Sequence, residues 1–422
     1  MAMGWRIAGA PLDGVGRVSC GRCWFFTESG NDFPSEDLPR KRRAVYHEGL
    51  VDRACGSEAD GNCGGDVVTR YKAGILGATG VVGQRLVQRL VDHPWFEISA
   101  LSASERSAGR RYGDATRWNL AGAPPLRVAS MLVRPPEPSE FDDCDLVFSA
   151  LDTQIAAERE PMFAAAGLVV SSNSSAFRQG DDVPLLVPEV NAAQLALIER
   201  QRARTGAGFI VTNPNCSVTG LALAVAPLHR EFGLRRIVVT TLQAISGAGA
   251  DGPRAIDLVD NVLPYIPGEE EKLESELSKI LGTVRETRVE RLELDVSAHC
   301  HRVPVLDGHL EAVSLELATP VDPARAAEVA GGFAGDIAEL DLPSSQGPPI
   351  VVREEPDRPQ PRLDRDAGGG MTVTIGRMRT CSVLGLKFEL LSHNAVRGAA
   401  GCAVLNAELL AARKLLPRRS GS

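Results

Sequence analysis

Three glycines set between a short apolar strand and an amphipathic helix constrain this chain more than any other feature. Residues 73–76 read as a strand, Gly77-Ala-Thr-Gly-Val-Val-Gly83 follows, and Leu86, Leu90 and Val87, Val91 then recur four apart, as on the face of a helix. Glycines in such a turn let it close tightly, let a pyrophosphate approach the backbone, and let the helix pack closely on its sheet. Gly77, Thr79, Gly80, Val81, Val82 and Gly83 are therefore candidate dinucleotide contacts. The spacing is Gly-x-x-Gly-x-x-Gly rather than Gly-x-Gly-x-x-Gly, which a plain turn also satisfies.

From Tyr71 onward strand and helix patterns alternate, with strands at 97–101, 145–149, 168–171, 208–211 and 236–242. Alternation of this kind predicts βαβ units on a parallel sheet, an α/β fold. The second strand runs into Ser102-Ala-Ser-Glu-Arg-Ser107, where a dinucleotide fold places the acidic group that holds the ribose hydroxyls. Ser102, Ser104, Arg106 and Ser107 suit a 2′-phosphate, which a carboxylate would repel, so NADP is expected over NAD. Glu105 pulls the other way, and Arg106 reads equally as a solvated surface charge. Ser149 stands at another strand end facing the same crevice, and 201–207 reads as a linker.

That linker leads through the strand at 208–211 to Thr212-Asn-Pro-Asn-Cys-Ser-Val-Thr-Gly220, followed by Leu221, Val225 and Leu228 at helical spacing. Cys216 is thus expected at a helix N-terminus, where free amide N–H groups and the dipole favour a thiolate nucleophile. The same position suits a small buried apolar side chain, the commonest use of a free cysteine.

Composition narrows the classes. The chain has 422 residues, 44% of them hydrophobic, enough for two or three domains. Its net charge of -8 argues against nucleic acid or an anionic membrane as main partner, since both need a basic footprint. No apolar run is long enough to span a bilayer, and a cytoplasmic protein is expected. Of nine cysteines, Cys144, Cys216, Cys300, Cys381 and Cys402 are scattered without disulfide-like spacing, as reduced thiols would be. Residues 1–70 differ in character, with Cys20, Cys23, Cys55 and Cys63 among many Gly, Asp, Glu and Arg. Their spacing lacks the second close pair of a zinc site, so a disordered extension or translated upstream sequence is expected there.

Further on, 243–250 is a second Gly-rich loop, 266–281 is the charged entry to a helix, and a strand-like stretch at 296–310 carries His299, Cys300, His301 and His309. Strand alternation turns those side chains to opposite faces, and no carboxylate set accompanies them, so no metal site is expected. Residues 341–366 read as loop or short strands, a strand pattern returns at 371, and 392–410 reads as a helix of small residues.

Six motifs in order, Gly77–Gly83, Asn213-Pro-Asn-Cys-Ser217, Gln243-Ala-Ile-Ser-Gly-Ala-Gly249, Glu270-Glu-Lys272, Arg302-Val-Pro-Val-Leu-Asp-Gly-His309 and His393-Asn-Ala-Val-Arg-Gly398, make the chain resemble the aspartate-semialdehyde dehydrogenases of archaeal and fungal type. The resemblance spans about 71–411. It implies a Rossmann-type NADP-binding domain at 71–211, completed by a C-terminal helix at 392–415, and an α+β catalytic and dimerisation domain with a mixed sheet at 212–391. It implies NADPH-dependent reduction of 4-aspartyl phosphate to aspartate 4-semialdehyde with release of phosphate, by homodimers or homotetramers, on the route to lysine, methionine and threonine. By the same resemblance Cys216 is the nucleophile, His309 an acid/base titrating near neutrality, and Gln243 the group that orients the acyl carbon. Arg302 would clamp the α-carboxylate and Glu270 the ammonium, while Lys272, Arg178 and Asn215 would surround the phosphate. Ser246, Gly247 and Asn394 would join the cofactor contacts. Malonyl-CoA or succinyl-CoA reductases share the thioester logic, but a CoA thioester offers no ammonium or phosphate for Glu270 and Lys272. N-acetyl-glutamyl-phosphate reductase differs at the cysteine motif. A non-catalytic NADP-binding sensor would need neither Cys216 nor His309.

Overall fold

Two six-stranded sheets carry the described part of the chain, residues 70–249 and 252–418 of a computed structural model. Residues 1–69, and the expectation for the extension, lie outside the described residues. The first sheet contains β1 (Tyr71–Leu76), β2 (Phe96–Ser102), β3 (Val133–Arg134), β4 (Leu146–Ser149), β5 (Val169–Ser172) and β6 (Phe209–Thr212), ordered β3-β2-β1-β4-β5-β6 and parallel throughout. This is the doubly wound arrangement, whose order reverses between β1 and β4 and opens a crevice at the strands' carboxyl ends. Helices α1 (Val81–Leu90), α2 (Thr153–Ala165) and α3 (Ile198–Thr205) follow β1, β4 and β5. The expected linker at 201–207 is instead the end of α3, which Gly206 stops with a φ of +72°.

From β6 the chain enters α4 (Cys216–Phe232), buried almost all round as far as Leu228, as befits a helix enclosed in a core. Behind it stands the second sheet, made of β7 (Leu234–Gln243), β10 (Asp295–Arg302), β11 (His309–Leu317), β12 (Ile350–Arg353), β13 (Val373–Cys381) and β14 (Gly385–Ser392), in the order β10-β7-β11-β14-β13-β12. It is mixed: β11 runs antiparallel to β7 and β14, while β10 is parallel to β7. Helix α5 (Glu269–Ile280) precedes a small hairpin of β8 (Thr283–Arg285) and β9 (Arg288–Glu290), and α6 (Pro323–Gly331) packs on α4.

The chain's end departs from the expected helix at 392–415. Ser392 pairs with His309 in the sheet, a π-helical turn occupies Val396–Ala400, and the α-helix α7 covers only Gly401–Ala412. The wider turn brings Gly398 so close to Cys216 that a Cβ there would lie 2.7 Å from the Cys216 Cβ. Ala403, Val404, Ala407 and Leu410 of α7 join the core of the first sheet, so the chain's end closes that unit.

One core residue works against stability. Glu311 on β11 is fully buried, neither carboxylate oxygen has a partner, and burial holds its pKa well above the ordinary value. A carboxyl whose folded pKa is raised contributes its stability below the unfolded pKa and loses it as pH rises toward the folded one. Glu311→Gln is therefore expected to raise the unfolding free energy by a margin that grows by up to about 1.4 kcal/mol per pH unit from about pH 5 upward, and that vanishes below about pH 4. Calorimetric melts across this range read it, and a margin independent of pH would count against a protonated Glu311.

Candidate active site

Asn215 caps α4, its Oδ1 accepting the Ser217 N–H at 3.0 Å, and this puts Cys216 in the first helical position. The second sheet delivers the opposing groups. Arg302 ends β10 beside Gln243 at the end of β7, and His309 begins β11. The result is a Cys216 Sγ to His309 Nε2 distance of 3.2 Å, between residues 93 apart in sequence.

The imidazole's other nitrogen decides its tautomer. The backbone N–H of Ala244 donates to His309 Nδ1 at 3.0 Å, so Nδ1 carries a lone pair and the ring proton sits on Nε2, facing the sulfur. Burial, reinforced by Arg302, pushes His309 down to about 3. The expectation of a ring titrating near neutrality is corrected accordingly. The thiolate expectation is corrected too. Withdrawal from water and the Glu269 carboxylate push the Cys216 thiol up to about 12, against the pull of Arg302, Arg178 and Lys272. In the substrate-free site the helix N-terminus alone does not ionise it.

Around this pair the groups form two clusters. Arg302 Nη1 donates to Ala244 O at 2.8 Å and reaches Gln243 Oε1 at 3.4 Å. Glu269 accepts from Asn215 Nδ2 at 2.9 and 3.0 Å, from Gln243 Nε2 at 3.3 Å and from Lys272 Nζ at 2.7 Å. Burial pushes Glu269 up, but Lys272 and these amides outweigh it and hold the carboxylate below its usual range. The carboxylate facing the cysteine is thus Glu269. Glu270, the expected one, points away and accepts the Cys300 N–H at 3.0 Å. The cause is phase: Gly268, with a φ of +70°, sets Glu269 first in α5, and on a helix Lys272 at i+3 shares its face while Glu270 is turned some 100° from it.

Gly247 packs over the pair, and a Cβ there would sit 2.9 Å from Arg302 Nη1 and 3.0 Å from His309 Cε1. Asn394 binds this loop through Ser246 Oγ at 2.8 Å and accepts the Gly308 N–H at 2.8 Å, fixing the turn that presents His309.

The first sheet fits a dinucleotide. Gly77 has a φ of +74° and lies against Ala150 O, and a Cβ on Gly83 would come 2.2 Å from Gly77 O, so both positions admit no side chain. Gly80, at the start of α1, faces only Gly77 O within 4 Å and leaves an open cradle for phosphate beside Thr79, Val81 and Val82. Ser102 and Ser149 end β2 and β4 fully buried, and the Ser102 hydroxyl has no partner. Ser104 and Arg106 lie exposed in the turn after β2, with Ser107 tucked beneath. Among the described residues no group of three His, Cys, Asp or Glu is placed to hold a metal ion.

Comparison with known proteins agrees with both halves. The profile of the semialdehyde dehydrogenase NAD binding domain matches residues 72–198, and that of the semialdehyde dehydrogenase dimerisation domain matches 225–397. The aspartate-semialdehyde dehydrogenase of Archaeoglobus fulgidus is 49% identical over 348 residues, 82% of this chain and all of that protein. That of Schizosaccharomyces pombe is 44% identical, covering 82% of this chain and 99% of its own length. The chain belongs to the aspartate-semialdehyde dehydrogenase family. A crystal structure of the Candida albicans aspartate-semialdehyde dehydrogenase with NADP superposes with a TM-score of 0.77 at 42% identity, over 82% of this chain and all of that one.

In this dehydrogenase one further group joins the site without having been singled out in the sequence. Glu276 of α5 accepts from Arg178 Nη1 at 3.0 Å and from the backbone N–H of Asn215 at 2.7 Å. Glu269, Lys272 and Glu276 fall at i, i+3 and i+7 of one helix, the stripe that would have found both glutamates had the helix start been known.

Proposed function

We propose that this chain reduces 4-aspartyl phosphate to aspartate 4-semialdehyde, releasing phosphate, with Cys216 as the nucleophile and NADP as the cofactor. The contact between Cys216 Sγ and His309 Nε2 carries the reading, because it joins a thiol at a helix N-terminus to a fixed proton donor inside a cluster of cations. The Cys216 thiol gives up its proton to solvent, the sulfur forms a bond to the acyl carbon, the bond from that carbon to the phosphate oxygen breaks, and phosphate leaves. NADPH, when bound, supplies the hydride that reduces the resulting thioester, after which the carbon–sulfur bond breaks and the aldehyde departs. A proton held on His309 Nε2 stabilises sulfur as an anion both before attack and as it leaves. Arg302, a planar donor, suits the substrate α-carboxylate, Glu269 suits its ammonium, and Lys272, Arg178 and Asn215 suit the phosphate. Gln243 orients the acyl group. Gly77 to Gly83 receive the pyrophosphate, while Ser102, Ser104, Arg106 and Ser107 receive the 2′-phosphate, with Ser149, Ser246, Gly247 and Asn394 nearer the reacting end.

Residues 71–211 with the C-terminal helix form the cofactor domain and 212–391 the catalytic domain. The chain assembles as a homodimer or homotetramer through the face of the second sheet opposite α4, where Val238 and Leu242 stand exposed. A cytoplasmic setting accords with the free state of all five cysteines among the described residues.

The test is NADP reduction driven by aspartate semialdehyde with phosphate, beside NADPH oxidation by malonyl-CoA and succinyl-CoA. The first is expected to proceed at least about a hundredfold faster in kcat/KM, since a CoA thioester brings no ammonium to Glu269 and no phosphate to Lys272, and a site built to hold polar groups discriminates strongly against a substrate that lacks them. Faster turnover of a CoA thioester would overturn the reading.

A further inference from the structure

Arg178 is a buried guanidinium whose three nitrogens have unequal fates. Nη2 donates to Asn173 O at 2.8 Å, Nη1 donates to Glu276 Oε1 at 3.0 Å, and Nε is buried without a partner. Glu276 is itself 2% exposed, and its second oxygen takes the Asn215 N–H at 2.7 Å, the amide immediately before the nucleophile. One carboxylate therefore fixes an arginine and the Cys216 turn in a single geometry. The same helix also supports the segment that carries the arginine: one turn beyond Glu276, Lys279 donates to the carbonyls of Arg178, Gly180 and Val183 at 2.7, 2.7 and 2.8 Å.

The geometry points to Glu276 as the positioning residue of the phosphate subsite, setting the orientation of Arg178 so that its unpaired N–H faces the departing or attacking phosphate. The inference rests on the reading above that Arg178 contacts phosphate. A freely rotating arginine would lose side-chain entropy each time an anion bound, and the Glu276 ion pair removes that loss in advance. Glu276 touches neither the thiol nor the acyl group: its contact with Arg178 bears on phosphate affinity, and its contact with the Asn215 N–H bears on the set of the Cys216 turn.

The experiment compares Glu276→Gln, Glu276→Asp, Arg178→Ala and the Arg178→Ala/Glu276→Gln pair in the phosphorylating direction, with KM measured separately for phosphate, aspartate semialdehyde and NADP. Glutamine retains one acceptor oxygen for Asn215 and presents its amide N–H₂ to Arg178, so the cysteine turn is kept while the arginine is released. Glu276→Gln is expected to raise the phosphate KM about tenfold, with kcat at saturating phosphate and the other two KM values within about twofold. In Arg178→Ala it is expected to add nothing, since the two act as a unit. Glu276→Asp keeps the charge but withdraws it, and an intermediate rise is expected. If Arg178→Ala leaves the phosphate KM unchanged, the phosphate reading of Arg178 fails. If Arg178→Ala raises it but Glu276→Gln lowers kcat with all three KM values unmoved, or the two effects multiply in the pair, the positioning role is overturned.

Discussion

Cys216→Ala is expected to lower kcat for NADP-dependent oxidation of aspartate semialdehyde by on the order of 10⁴-fold or more, with the cofactor still bound. Among the described residues no other thiol stands beside His309. Cys300 is two residues from Arg302 on β10, but it is fully buried in the hydrophobic core behind α4. Serine at 216 is expected to do little better, because a hydroxyl ionises far less readily than a thiol and the site supplies no base to help it. His309 Nδ1 is committed to the Ala244 N–H and Nε2 carries a proton. The state of the thiol adds a second readout. In the substrate-free enzyme its alkylation by iodoacetamide is expected to accelerate roughly tenfold per pH unit through the neutral and mildly alkaline range, as for a thiol ionising far above neutrality. An alanine variant that keeps its activity would end every thioester scheme. An alkylation rate already level at neutral pH would mean that the cations around Cys216 outweigh its burial.

Local pattern carried much of this architecture. The turn from Gly77 to Gly83 was legible because each glycine answers a separate steric demand, a positive φ at Gly77 and a close helix–strand approach at Gly83. The Cys216 turn was legible because a cysteine and an apolar helix follow a strand in a fixed order. Three consecutive glutamates, by contrast, carry no phase of their own. Gly268 decides which one faces the site, and a one-residue error exchanges Glu269 for Glu270. The proton chemistry was hidden for another reason. Whether His309 titrates near neutrality depends on the Ala244 N–H, 65 residues away in sequence, and on burial that only the packed sheets create. Glu276 and Glu311 escaped notice because a buried carboxylate and a solvated one look alike in a sequence. The ion pair of the one and the isolation of the other are both long-range facts. The end of the chain misled in the same way, since its small residues suit an α-helix yet Gly398 is needed against Cys216 and the helix starts later.

His309→Gln is expected to lower kcat by about 10²- to 10⁴-fold, and His309→Ala by more. The ordering follows from the tautomer. The ring acts through the proton on Nε2, and a glutamine side chain can place an amide N–H close to that position, whereas alanine leaves sulfur with no donor at all. A ring serving as a titrating relay would behave differently, since glutamine cannot exchange a proton with the reaction and both variants would then lose equally. Dependence on pH separates the two schemes independently. Because burial and Arg302 hold His309 down to about 3, its protonation lies below the working range, and the wild-type kcat/KM is expected to rise toward alkaline pH with no acid limb near 6 to 7 belonging to this ring. An acid limb near 6.5 that disappears in His309→Gln would place a titrating imidazole at the centre of the reaction. The Ala244 N–H would then have to release Nδ1 on substrate binding, and the neutral donor would be wrong.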